Sequence, residues 1–178
     1  MSLKKLIMDK HNIAEGKAFV HVLLSGNIPP AVYYRYLTNQ YHNYAALEDR
    51  LQKTDFPKDC WDVFRAKLIQ ADIQELEAEY GLHFAPHLLT PSTIEYTTYI
   101  KKLNKTELMA HMYVRYFGDM SGGAIIKKHI PGSGLFYEFK NKQTLKAKLT
   151  TLLDDDMGEE ANRCFDFAIR LFTELEAG

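Results

Sequence analysis

Two cysteines, Cys60 and Cys164, are all the thiol this chain of 178 residues carries. That is too few for a disulfide framework or a four-thiolate metal site, and it points to a reducing compartment. Charge of one sign is scarce too: 22 Lys and Arg stand against 23 Asp and Glu, a formal net charge of −1. The broad basic field that bulk nucleic-acid binding requires is therefore excluded, although a local basic patch is not. No apolar run approaches the roughly 20 residues needed to cross a bilayer. The opening MSLKKLIMDKHN is basic but lacks the apolar centre of a secretion signal, and the closing LFTELEAG offers no hydrophobic tail. These absences predict a soluble, cytoplasmic protein with no nucleic-acid or membrane partner. Two metal motifs are missing as well. No Glu-x-x-His occurs, which counts against a ferritin-like di-iron bundle, and no His-Glu-x-x-His, which excludes a zincin.

What is present is helical period. Hydrophobic residues at 46% can build a substantial core. Val32, Tyr33, Tyr36, Leu37, Gln40, Tyr41, Tyr44, Leu47 and Leu51 recur at three- and four-residue steps, one face of a long helix that Pro29 and Pro30 begin. Ala161, Cys164, Phe165, Ala168, Ile169, Phe172 and Leu175 repeat the pattern near the end. Further helices are predicted over 61–80, 92–102, from Thr106 past Tyr116, and from about Lys140 to Leu153. The first helix is expected to run to about Leu24, where Ser25, Gly26 and Asn27 stop it. Phe56-Pro57, His83 to Pro91, Ile130 to Gly134 and Met157-Gly158 supply the turns. The expectation is an all-α fold, a single domain over residues 1–178 with seven or eight helices.

The most informative stretch is Tyr113 to Lys128, YVRYFGDMSGGAIIKK, whose apolar period runs straight through Gly118, Gly122 and Gly123. Each glycine inside a helix costs about 0.5–1 kcal/mol relative to alanine. Gly118 and Gly122 are four apart and would leave one helical face bare, and glycines also let a helix bend. A flat ligand lying against backbone would explain the choice. A C-terminal cap followed by a Ser-Gly-Gly turn explains it equally well taken alone, whereas a phosphate loop lacks its preceding strand and its lysine. Asp119 lies within the strip, four residues after Arg115, which could orient it. A carboxylate there could hold an ordered water and pass protons to a ligand.

Of the seven histidines, His11 has the best local setting for ligation, with Glu15 one turn later able to orient its imidazole. A surface ion pair explains His11 and Glu15 more simply while they are taken alone. Lys142 and Lys146 share a helix face near Lys148, and Lys4 lies two turns before His11. Such lysines commonly coat a solvated surface, but they would also suit two propionates at a pocket rim.

Taken together these residues resemble the haem oxygenase family over almost the whole chain. Ala110 to Gly123, AHMYVRYFGDMSGG, is similar to the family's distal-helix signature, with Phe117 and Met120 in place of two leucines. His11 to Phe19 resembles the proximal segment, Tyr41 to Leu51 a Tyr-x-x-Tyr-x-Ala-Leu-Glu pattern, and Leu171 to Leu175 the closing block. The resemblance implies a multi-helix bundle that holds haem between a proximal N-terminal helix and a Gly-kinked distal helix. It implies His11 as axial iron ligand oriented by Glu15, and Gly118 and Gly122 as the bare backbone over the distal face. Asp119 would anchor a proton-delivering water network together with Tyr44 and Arg115. Lys4, Tyr113, Lys142 and Lys146 would meet the propionates. Haem would be both substrate and cofactor, opened with O2 to biliverdin (the alpha isomer), carbon monoxide and ferrous iron.

A soluble electron donor, with ferredoxin first, and a downstream bilin reductase are the partners the resemblance suggests. Ala124 stands where relatives often carry glutamine, and Ala168 where some carry a polar residue, so proton routing is expected to differ in detail. The rival readings are a haem-storing module without turnover and a thiaminase-like enzyme on a related fold. The latter needs a cysteine nucleophile, and neither Cys60 nor Cys164 has a base close by in sequence.

Overall fold

The computed structural model of the chain describes residues 2–177. Among them every regular element is helical and no strand is present.

The expected first helix is broken into three: α1 (Leu3–Leu6), α2 (Met8–Glu15) and α3 (Ala18–Leu24). Lys17 is the main break, leaving helical geometry at φ −66° and ψ 142°. The division follows from burial. Helix α2 is polar on most sides and buries only Ala14, whereas α3 buries Phe19 and Leu23. One straight helix could not serve both surfaces. The next element, α4 (Pro30–Gln52), begins with Pro30 in the first turn, where its missing N–H costs nothing. Its Tyr33, Tyr36, Leu37, Tyr44, Leu47 and Leu51 are all buried, as their spacing predicts.

Helix α5 (Ala66–Tyr80) packs along α4 and starts five residues later than expected, because Lys58–Val63 forms a 3₁₀ segment. A long-range cap sets its start. Glu48 on α4 accepts hydrogen bonds from the N–H groups of Arg65 (2.6 Å) and Ala66 (3.0 Å), satisfying donors a helix leaves free. The buried Arg65 guanidinium donates in turn to carbonyls of Asp62, Val63, Phe136 and Glu138. Gly81, left-handed at φ 66°, ends α5.

Helix α6 (Pro91–Tyr99) passes into a 3₁₀ turn over Ile100–Lys102. A reciprocal capping box between Asn104 and Glu107 opens α7 (Lys105–Met112), a device worth about 1 kcal/mol. A π-helical turn, Tyr113–Phe117, joins α7 to α8 (Gly118–Lys127). Helix α9 (Lys142–Thr150) starts after Asn141, which sits at φ 52°. The chain closes on α10 (Gly158–Ala177), whose apolar face buries Ala161, Cys164, Phe165, Leu171 and Leu175. Because α10 packs on α2, α3, α6 and α7 at once, it ties the N-terminal helices to the α7–α8 rod.

Candidate active site

The glycine-rich stretch is helix and not a cap followed by a loop. Gly118 has φ −60° and ψ −49°, and α8 continues without interruption to Lys127. A Cβ built on Gly118 or Gly122 meets no atom within 4 Å, so the backbone there borders open space. Gly123 has a different reason. A Cβ at that position would lie 2.9 Å from Cδ1 of Tyr137, too close for any side chain without a shift. Two of the three glycines therefore leave a bare strip, and the third permits close packing behind it.

Asp119 does not bond to Arg115, contrary to the four-residue spacing. Arg115 lies in the π-helical turn, whose wider winding rotates residues before and after it out of the α-helical i,i+4 alignment. Its Nε donates to the Tyr96 hydroxyl at 3.1 Å, and its guanidinium lies 4.4 Å over the Tyr96 ring and 5.5 Å from that of Tyr44. Asp119 instead accepts a hydrogen bond from the hydroxyl of Tyr44 on α4. Burial pushes the Asp119 carboxyl up to about 7, outweighing the Tyr44 hydrogen bond and the charges of Arg65 and Arg115, which pull it down. A carboxyl so placed can gain or lose a proton near neutral pH.

His11 and Glu15 are brought together on α2. Nε2 of His11 lies 3.3 Å from a Glu15 carboxylate oxygen. The other ring nitrogen, Nδ1, is buried with no hydrogen-bond partner, and Phe165 of α10 meets the ring edge-on at 6.0 Å. The nitrogen His11 can offer a metal is therefore Nε2, on the exposed side of the ring beside Glu15, because Nδ1 is enclosed. Among the described residues no three His, Cys, Asp or Glu side chains converge as a cage for a bare metal ion. A haem brings its own four nitrogens, so it needs from a protein only one such histidine and a bare surface to lie against.

Tyr113 is half-buried in the π-turn, its ring 5.0 Å from that of Phe117. Lys4, Lys142 and Lys146 are exposed, and no ion pair engages them among the described residues. Helix α9 lies against Lys58–Val63, where Lys148 is tied to Asp59 at 2.9 Å. No hydrogen bond or ion pair joins Lys142 or Lys146 to His11, Tyr113 or Asp119.

A buried polar chain behind Arg115 is not legible in the sequence. The Tyr96 hydroxyl that accepts from Arg115 is 2.8 Å from Nδ1 of His111, and Nε2 of His111 lies 3.7 Å from Glu160, which also accepts from Tyr99 at 2.5 Å. Cys164 belongs to the same cluster: burial raises its thiol, but His111 and Arg115 pull it below its ordinary value, so the fold does bring a histidine near this thiol. The only sequence signal was a histidine in the otherwise apolar run Leu108–Met112. Cys164 is fully buried and Cys60 is 1% exposed, so neither thiol faces a substrate.

The model of the haem oxygenase family matches residues 1–174. The chain belongs to the haem oxygenase family. It is 34% identical to the heme oxygenase of Guillardia theta, over 99% of this chain and 85% of that one. It is 30% identical to heme oxygenase 1 of a Nostoc species, over 93% of this chain and 81% of the relative. The fold agrees. Heme oxygenase-1 of Synechocystis, solved in complex with heme, superimposes with a TM-score of 0.82 at 25% identity, covering 98% of this chain and 90% of that one. The heme oxygenase of Leptospira interrogans gives a TM-score of 0.79 at 28% identity, over 98% and 100% of the two chains. Haem oxygenases are oxidoreductases, so membership places this chain in an enzyme family. Among the described residues no helix is long and apolar enough to cross a membrane.

Proposed function

We propose that this chain, acting as one domain over residues 1–178, opens the haem ring to biliverdin, carbon monoxide and ferrous iron. One observation carries the reading: a bare helical strip at Gly118 and Gly122 that also holds a carboxyl titrating at about 7. Haem, as substrate and cofactor, supplies the iron at which O2 is activated.

The chain's own residues then have distinct tasks. His11 would hold the iron through Nε2, and Glu15, 3.3 Å from that nitrogen here, would orient the ring. Gly118 and Gly122 let backbone approach the macrocycle and confine what lies over it, which selects the ring carbon and so the alpha isomer. Asp119 binds ordered water at its carboxyl and exchanges a proton there. Tyr44 holds that carboxyl by its hydroxyl, and Arg115 keeps a positive charge near the network. Tyr113, Lys4, Lys142 and Lys146 meet the propionates, the lysines as flexible point charges. Lysines around the rim also suit an acidic, soluble electron donor, for which ferredoxin is our first choice, with a bilin reductase taking the product. The setting is cytoplasmic.

The test is to add haem to the purified chain, then a reductant under air. Loss of the Soret band with chromatographically identified biliverdin is expected. A haem complex whose spectrum stays unchanged would make the chain a haem-storing module and overturn the reading. Failure to bind haem would overturn it more completely.

A further inference from the structure

Beside the Tyr44–Asp119 bond lies a second run of polar side chains with no task in the scheme above. Tyr36, Gln40 and Tyr44 stand four apart on one face of α4. Asn43 donates from Nδ2 to Oε1 of Gln40 at 3.2 Å, and Gln40 donates from Nε2 to the Tyr36 hydroxyl at 3.4 Å. The Tyr36 and Tyr137 hydroxyls are hydrogen-bonded at 2.9 Å. All four side chains are buried. The fold brings this group to Asp119 by a specific device. Bare backbone at Gly123 lets the Tyr137 ring lie against α8 one turn after Asp119.

Two more polar atoms on the same helix, the Tyr33 hydroxyl and Oδ1 of Asn43, are buried without a protein partner. That is the condition in which folded proteins enclose ordered water. Burial raises the proton affinity of the Tyr36 and Tyr137 hydroxyls, and the Asp119 charge adds to the rise in both, so the two groups share one electrostatic environment.

We propose that the Tyr36–Tyr137 hydroxyl pair, fixed by Gln40, forms a second arm of the network around Asp119, reaching its carboxyl through enclosed water. Tyr36 and Tyr137 are positioning residues in this arm, and no bond to either is made or broken. The inference rests on Asp119 being the proton-handling group of the proposed function. Tyr44 bonds Asp119 directly, and the other titratable or charged groups near enough to act on its charge are Glu48 from α4, Arg65 before α5, and Arg115 and Tyr116 from the π-turn.

The experiment follows the carboxylic acid band of Asp119 by infrared spectroscopy across pH in the full chain without haem, with Asp119→Asn to assign the band. Tyr36→Phe and Tyr137→Phe keep both rings and remove one hydroxyl each. Each should raise the midpoint by about one unit, since hydroxyl and water dipoles no longer stabilise the carboxylate. Gln40→Met, which loosens the arm without touching a tyrosine, should move it in the same direction. Tyr34→Phe, whose hydroxyl bonds Glu77 away from the network, should leave it unchanged. A midpoint unmoved in both Tyr36→Phe and Tyr137→Phe overturns the arm. If biliverdin still forms in that case, the proposed function stands and only this inference fails. A shifted midpoint in a chain that makes no biliverdin would keep the arm and discard the function.

Discussion

Ionisation of Asp119 should cost folding stability across the neutral range, and Asp119→Asn isolates that cost. An aspartate carboxyl ordinarily titrates near 3.8, whereas burial at this site, against the Tyr44 hydrogen bond and two arginines, holds it at about 7. Between those values the folded chain keeps a proton that the unfolded chain has released. Stability therefore falls as pH rises from 3.8 towards 7 and is level on either side. At about 1.4 kcal/mol per pH unit the full effect is about 4 kcal/mol, an upper value because solvent reaches one edge of the side chain. Of this, roughly 2–3 kcal/mol falls between pH 5 and 8. Asparagine cannot ionise and is close to the same size. Urea unfolding of both full chains at pH 5 and pH 8 gives four stabilities, and other titrating groups cancel in the double difference. The variant should gain on the parent chain by about 2–3 kcal/mol on going from pH 5 to pH 8. A difference that stays constant across this range would show that the carboxyl titrates at its ordinary value, and the desolvation argument would fall.

Replacing His11 by alanine should abolish the histidine-ligated haem spectrum, and an unchanged spectrum would reassign the proximal ligand. Asp119→Ala should bind haem normally yet divert turnover away from biliverdin, which product chromatography reads directly; parental rates of biliverdin formation would remove Asp119 from the chemistry. The glycines should separate by role. Gly118→Ala meets open space and should raise stability by about 0.5–1 kcal/mol while weakening haem binding about tenfold. Gly123→Ala drives a methyl against Tyr137 and should cost about 1–3 kcal/mol in thermal or urea unfolding. The opposite order of the two stabilities would contradict the assignment of a bare strip.

Local pattern carried much of this fold. The stripe from Tyr33 to Leu51 and the one from Ala161 to Leu175 became α4 and α10, because an apolar face at helical spacing has one economical way to be buried. Helix ends were less legible. Val63 and Phe64 continue the apolar spacing before α5, yet the helix begins only where Glu48, far back on α4, can cap it. The break at Lys17 likewise reflects two surfaces to be buried in different directions, and no local residue announces it.

The candidate site divides the same way. His11 with Glu15, and Gly118 with Gly122, were readable because each pair lies within one turn of one helix. The partner of Asp119 was not readable from spacing, although the family resemblance placed Tyr44 in its network. Spacing proposed Arg115, but a π-turn changed the winding and Tyr44 arrived from another helix. His111, Glu160 and Tyr96 meet only through the packing of α6, α7 and α10, so no window of sequence contains their relation. By itself, then, the sequence determined an all-helical chain, its main helices, a costly run of glycines and the pattern of a haem oxygenase. Tertiary structure alone decided which polar groups are buried together, and so which carboxyl holds a proton near neutral pH. Helical periodicity is a property of neighbours along the chain, whereas desolvation and buried hydrogen bonds depend on whatever the fold brings alongside.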